Sequence, residues 1–269
     1  LRFGILGEHL SHTLSPELHE ELFRRQGIDA TYEVLERSQE EVGSILEELK
    51  EKQISGINVT IPYKEKLCQM VDILDSHAEC IGAVNTVLLK NGLTYGYNTD
   101  YLGAVSMFQS AGVTLRQKEA VILGSGGASR ALIYAMYTEG ASKITVAARN
   151  EEAKQRLKER FPYIHTCTLH DIPSGDIIIN TTPVGMYPKV GTSPVPASVI
   201  KCFSVAGDIV YNPMVTEFLH LAEVSGLLTV TGLRMLVDQA IASEEIWLGK
   251  SLDSTIGTIL HDRLAKRFL

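Results

Sequence analysis

A run of small residues, Gly124-Ser125-Gly126-Gly127-Ala128-Ser129, follows directly on an unbroken apolar stretch from Ala120 to Leu123. Few features constrain a fold more. Apolar residues without alternation make a strand covered on both faces, as in a parallel sheet flanked by helices. Glycines at the turn into the next helix let the backbone approach a pyrophosphate seated at the helix N-terminus. A helix through Arg130 to Glu139 and a strand over Ile144 to Ala148 complete a β-α-β unit. The spacing is G-x-G, with Ser129 where the third glycine of a dinucleotide-binding fingerprint would stand. By itself the hexapeptide also suits an ordinary strand-to-helix turn.

The end of the following strand separates the two readings. An NAD site wants an acidic residue there for the ribose 2′-hydroxyl, whereas Ala147-Ala148-Arg149-Asn150 offers Arg149, suited to a 2′-phosphate. The pattern therefore points to NADP; the bland alternative is a solvated arginine at a strand end. Further buried strands are expected at Ile177 to Asn180 and Val205 to Val210, and helices from Gly232 onward.

The first hundred residues have a different texture. Short strands are expected at Phe3 to Leu6, Thr31 to Leu35 and Gly56 to Ile61. Pro16 opens one helix, Gln39 to Lys52 form an amphipathic second, and Pro62 opens a third running through Leu74. Val84 to Leu89 and Leu93 to Tyr97 flank the turn Lys90-Asn91-Gly92 as a hairpin. The expected architecture is thus two α/β domains with a cleft between them. Residues 1–100 plus 236–269 form an N-terminal substrate domain, and 101–235 a Rossmann-like NADP-binding domain.

With 269 residues, each domain can bury its own core. A net charge of −7 without a dense basic stripe argues against nucleic acid as a partner. No apolar run approaches the roughly 20 residues of a membrane span, and no leader precedes Phe3, so the expected location is cytoplasmic. Cys68, Cys80, Cys167 and Cys202 are scattered, without metal-ligand spacing. They read as small core residues in a reducing compartment, and no metal is expected.

Polar residues interrupt the apolar strands of the first domain at three places. Asn58 and Thr60 share one face of a strand, followed by Lys64 in the first turn of a helix. Asn85 sits in Gly82-Ala83-Val84-Asn85-Thr86, and Asp100 ends Asn98-Thr99-Asp100 before a helix. Taken singly, Lys64 is a surface charge and Asp100 an N-cap. Together they make an acid/base couple for carbonyl reduction, with amides and hydroxyls to grip a polyhydroxylated substrate.

These clusters, with Ser11-His12-Thr13-Leu14-Ser15-Pro16, Asn58-Val59-Thr60-Ile61-Pro62-Tyr63-Lys64, Asn180-Thr181-Thr182-Pro183-Val184-Gly185-Met186, Tyr211-Asn212-Pro213 and Gly232-Leu233-Arg234-Met235-Leu236-Val237-Asp238-Gln239-Ala240, resemble the shikimate dehydrogenase family across essentially the whole chain. The resemblance implies reversible, NADPH-dependent reduction of 3-dehydroshikimate to shikimate in aromatic amino-acid biosynthesis, by a monomer or homodimer. It implies Lys64 and Asp100 as the catalytic pair, and Thr13, Ser15, Asn58, Thr60, Asn85, Tyr211 and Gln239 around the substrate. Gly124, Ser125, Gly126, Gly127, Ala128, Ser129, Arg149, Thr181, Gly232 and Met235 are implied at the cofactor, and His12 is an ordinary loop residue. Two positions depart from the family's habit: Thr13 replaces a serine, and Ala148-Arg149-Asn150 replaces Asn-Arg-Thr. The competing readings are a quinate/shikimate dehydrogenase using NAD or NADP, and a non-catalytic nucleotide-binding sensor; retention of both Lys64 and Asp100 speaks against the sensor.

Overall fold

The computed structural model describes residues 1–11 and 13–268, so His12 lies outside the described residues. The chain divides into two compact units. One comprises Leu1–Thr99 and Gln239–Ile256; the other comprises Asp100–Asp238 and the segment from Gly257 onward.

The first unit is built on β1 (Arg2–Gly7), α1 (Ser15–Gln26), β2 (Thr31–Glu36), α2 (Ile45–Glu51), β3 (Gly56–Val59), α3 (Lys64–Cys68), β4 (Ile73–Leu74), α4 (Ser76–Ile81), β5 (Thr86–Lys90) and β6 (Leu93–Tyr97). Its sheet is mixed, in the order β2-β1-β3-β5-β6-β4. β1 pairs in parallel with β2 and β3, while β5 runs antiparallel to both β3 and β6. The β5–β6 hairpin turns through Asn91 and Gly92, both at positive φ, the backbone such two-residue turns require.

Three expectations for this unit are corrected. The Gln39 to Lys52 helix is a 3-10 turn at Glu41–Ser44 followed by α2, because Ser44 leaves helical backbone (φ −102°, ψ 7°). The helix after Pro62 begins only at Lys64 and ends by Cys68, and Ile73–Leu74 is paired as a strand instead. Ile61, expected as the last residue of β3, lies past the strand's end and is 73% exposed. The cysteines differ from expectation in their burial: Cys80 and Cys202 are exposed, and Cys68 and Cys167 only half-buried.

The second unit holds α5 (Asp100–Ser110), β7 (Glu119–Leu123), α6 (Gly127–Thr138), β8 (Lys143–Ala147), α7 (Glu151–Arg160), β9 (His165–Cys167), β10 (Ile177–Asn180), α8 (Ala197–Ile200), β11 (Val205–Asp208), α9 (Glu217–Val224) and β12 (Leu228–Val230). All six strands are parallel, in the order β12-β11-β10-β7-β8-β9. Chain direction across the sheet reverses between β7 and β10, the doubly wound order in which ligands bind beyond the carboxyl ends of the strands. The unbroken apolar runs follow from coverage on both sides. Ile122, Ile177 and Ile179 join one core with Phe108 and Met136, whereas Leu123 and Ile178 join another with Phe218 and Ala222.

α10 (Leu233–Leu248) carries the chain from one unit to the other at Asp238–Gln239, and α11 (Ile256–Ala265) follows it. Within the first unit Trp247 stacks on Phe3 (centroids 4.7 Å apart) and donates its indole N–H to the Val87 carbonyl at 2.9 Å. A Cβ on Gly56 would stand 2.4 Å from the indole nitrogen, so only glycine admits this ring.

Candidate active site and cofactor site

In the first unit the amides anticipated from sequence meet in one hydrogen-bonded network. β3 and β5 pair Asn58 with Thr86, and Asn85 immediately precedes β5. Asn58 and Asn85 are buried, so their amides must find partners. Tyr32 donates its hydroxyl to Asn58 Oδ1 at 2.7 Å, and Asn58 Nδ2 donates to Ser243 Oγ at 3.0 Å. Asn85 Oδ1 accepts the Thr99 backbone N–H at 2.6 Å, while its Nδ2 donates to Thr99 Oγ1 at 2.8 Å and Gln239 Oε1 at 3.3 Å. Thr99 and Ser243 each donate a hydroxyl to the Gln239 carbonyl, both at 2.9 Å. Thr86 Oγ1 completes the network at 2.8 Å from Ser243 Oγ. Each amide oxygen accepts and each amide nitrogen donates within the network, so both amides are held in one orientation.

Thr86, Thr99, Ser243 and Tyr32 were not singled out from sequence. Ser243 was findable, since it lies one helical turn after Gln239 on α10 and shares its face. Tyr32 gives no such local signal; it reaches Asn58 only because β2 and β3 flank β1.

Thr13 donates to Ser15 Oγ at 3.2 Å and accepts from the Ser15 N–H at 3.3 Å, so the two hydroxyls at the start of α1 are adjacent. Thr60 follows β3 and bonds by its N–H to the Leu6 carbonyl at 2.9 Å. Lys64 opens α3, half-buried, and its carbonyl accepts the Val84 N–H at 2.8 Å. Asp100, 5% exposed, is the first residue of α5 itself, so the N-cap position falls to Thr99.

Behind the network lies a pair the sequence did not announce. His19 Nδ1 and Glu244 Oε1 are 2.9 Å apart, both side chains fully buried, with the imidazole stacked on Tyr32 at 4.4 Å. Burial pushes Glu244 up to about 9 and His19 down to about 3. Desolvation is the leading cause for both groups, so burial favours a hydrogen bond between their neutral forms over an ion pair.

In the second unit the glycine loop joins β7 to α6. Gly124 has φ +113°, and a Cβ there would stand 2.7 Å from Thr181 Oγ1; Gly126, at the N-terminus of α6, has open space where a Cβ would be. Ser129 is fully buried and donates to the Gly124 carbonyl at 2.9 Å, clasping the loop from within. Thr181, just beyond β10, donates to the Leu123 carbonyl at 2.7 Å. The two loops at the topological switch point are thus in contact. Arg149 stands exposed beyond β8, and Asn150 caps α7 by accepting the Ala153 N–H at 2.9 Å. Gly232 is required by close approach, since a Cβ would lie 2.3 Å from the Ile209 carbonyl oxygen; Met235 packs into the core beside Phe108. Tyr211 follows β11, half-buried.

Among the described residues no group of three or more His, Cys, Asp or Glu could hold a metal ion, and no helix is long and apolar enough to cross a membrane.

The chain matches two family models, "Shikimate dehydrogenase substrate binding domain" over residues 5–87 and "Shikimate / quinate 5-dehydrogenase" over residues 106–185. It is 42% identical over 268 residues to a shikimate dehydrogenase (NADP(+)) of Clostridium perfringens, covering 99% of each chain. Among solved structures it is similar to shikimate dehydrogenase 1 of Peptoclostridium difficile, with a TM-score of 0.90, 41% identity, and coverage of 100% of this chain and 99% of that one. It is also similar to the Thermus thermophilus shikimate 5-dehydrogenase in complex with NADP(H) and shikimate, with a TM-score of 0.89, 32% identity and full coverage of both chains.

Proposed function

The chain belongs to the shikimate dehydrogenase family, and on that premise we propose that it reversibly reduces 3-dehydroshikimate to shikimate with NADPH. The first unit is the substrate domain and the second the cofactor domain. The observation that carries the reading is the ordered amide network of Asn58 on β3, Asn85 just before β5 and Gln239 on α10. Its fixed donors and acceptors suit a ligand rich in hydroxyls, with little reorganisation on binding.

The residues of the second unit fit a dinucleotide phosphate. Gly124, Ser125, Gly126, Gly127, Ala128 and Ser129 bring an uncluttered backbone to the start of α6, and Arg149, exposed beyond β8, would pair with a 2′-phosphate. Thr181, Gly232 and Met235 complete the cofactor set. The chemistry a bound NADP(H) would supply there is hydride transfer to or from the carbon bearing the reacting oxygen. The protein's part is the proton: Lys64 Nζ donates to the carbonyl oxygen in reduction and recovers the proton in oxidation, with Asp100 orienting it. Thr13 and Ser15 donate their hydroxyls to the substrate carboxylate, which lets an acidic chain hold an anion without an arginine. Thr60, Tyr211 and Gln239 complete the substrate set. The reading includes a cytoplasmic enzyme acting as a monomer or homodimer.

The decisive experiment crosses shikimate and quinate against NADP+ and NAD+ and follows nicotinamide absorbance. Shikimate with NADP+ is expected to give the highest kcat/KM. Comparable rates with quinate or NAD+ would favour the broader quinate/shikimate enzyme, and no turnover in any combination would leave a nucleotide-binding sensor.

A further inference from the structure

We propose that Asp208, at the end of β11, is a positioning residue that sets the two loops carrying Thr181 and Tyr211. The proposal rests on the reading above, in which those residues meet cofactor and substrate.

Asp208 and Asn180 are directly paired in register at the carboxyl ends of β11 and β10, and both are fully buried. Asn180 Nδ2 lies 3.1 Å from each carboxylate oxygen. The Val210 N–H donates to Oδ1 at 2.9 Å, and the Thr216 hydroxyl to Oδ2 at 2.7 Å. A carboxylate only accepts, so every group facing it must donate, and this fixes which way the Asn180 amide is turned. With Nδ2 committed to Asp208 and to the Val184 carbonyl at 3.2 Å, Oδ1 faces the following loop. There it accepts the Thr182 N–H at 3.0 Å and the Thr182 hydroxyl at 2.7 Å, and Thr182 Oγ1 in turn accepts the Val184 N–H at 3.2 Å. Thr181 lies between Asn180 and Thr182, so its backbone is pinned on both sides. On the other branch, the bonds from Val210 and Thr216 bracket the loop that contains Tyr211, and Thr216 also caps α9. The backbone just past Asp208 is the surface against which Gly232 is pressed, so a third loop takes its position from the same place.

An interior hydrogen-bonded cluster with a merely structural role would change stability and leave affinities alone. Asp208→Asn sets one amide nitrogen against another; either Asn180 turns and strands Thr182, or the Tyr211 loop loses its acceptor. KM for both NADP+ and shikimate is expected to rise by roughly tenfold or more. Thr182→Val, milder and confined to one branch, is expected to raise KM for NADP+ about fivefold while leaving KM for shikimate unchanged. That selectivity is beyond the reach of a general loss of stability. An unaltered KM for NADP+ in folded Thr182→Val overturns the proposal, whether or not Asp208→Asn can be purified. So does a folded Asp208→Asn that melts lower but keeps both KM values within about twofold of wild type. Thr181→Ala and Tyr211→Phe report separately on the underlying reading. If they leave KM untouched, the assignment of the two loops fails; if they raise KM while Asp208→Asn and Thr182→Val do not, Asp208 alone is at fault.

Discussion

Lys64 and Asp100 each open a helix, and in the proposed reaction this pair does the one thing the surrounding amides cannot, which is to move a proton. Lys64→Ala should therefore lower kcat about a hundredfold or more while NADPH binding, measured by nicotinamide fluorescence, stays close to wild type. Near-normal kcat would remove Lys64 from the reaction. In the same proposal Arg149 acts on the cofactor instead. Its loss in Arg149→Ala should cost about 1.5–3 kcal/mol toward NADP+ and little toward NAD+, which lacks the 2′-phosphate. Equal weakening of both would argue for a solvated arginine. At Thr13 the extra methyl sits beside a hydroxyl already held by Ser15. Quinate carries one more hydroxyl than shikimate at the carbon bearing the carboxylate, so the methyl should crowd it. Thr13→Ser is expected to narrow the preference for shikimate, read as the ratio of kcat/KM values. An unchanged ratio would show that the methyl sets nothing.

Elements were legible in the sequence to the extent that their signals are local. The glycine loop, the Asn91-Gly92 turn and the unbroken strands β7 and β10 each announce themselves within a few residues. The helix after Pro62 misled because Met70, Val71 and Leu74 keep helical spacing, yet Leu74 and its neighbour Ile73 find strand partners on β6. Pairing partners far along the chain overrode a local period. The candidate site divided the same way: its amides could be read directly and Ser243 reached by helical spacing from Gln239, whereas Tyr32 and the His19–Glu244 pair depend on which helices and strands lie side by side. That pair, joining α1 to α10, makes a prediction of its own. Glu244 binds its proton more tightly folded than unfolded, so its contribution to stability is complete below about pH 4.5 and lost as pH rises through about 9. His19 is shifted the other way; its contribution is complete above about pH 6.5 and lost as pH falls through about 3. The two slopes oppose each other between about pH 4.5 and 6.5 and leave an alkaline decline that belongs to Glu244. Glu244→Gln, still able to donate to His19, should flatten that decline in thermal melts. Parallel curves for wild type and variant would mean that Glu244 is ionised in the fold.

At the scale of the whole molecule, the first unit is discontinuous: its N-terminal ninety-nine residues are joined by Gln239–Ile256, which carries Trp247 into contact with Phe3 and Val87. Removing that ring in Trp247→Ala should cost about 3–5 kcal/mol. The loss should be local. Amide protons in β3 and β5 should exchange faster, while those in β7 and β10, in the other unit, keep their protection; equal acceleration in both would mean that the two units unfold as one. The same discontinuity has a temporal side. A chain emerges from the ribosome N-terminus first, at roughly 5–20 residues per second, so the first sheet is outside for on the order of ten seconds before its tryptophan has been synthesised. Through that interval the slot beside Gly56 is open, and Phe3, Phe23 and Tyr32 lack their cover. The cofactor half, by contrast, has all six of its strands in hand before Trp247 is translated. The half translated first thus waits for its tryptophan until every strand of the other has been made, and its unfinished aromatic pocket is where a nascent chain of this kind would most need a chaperone.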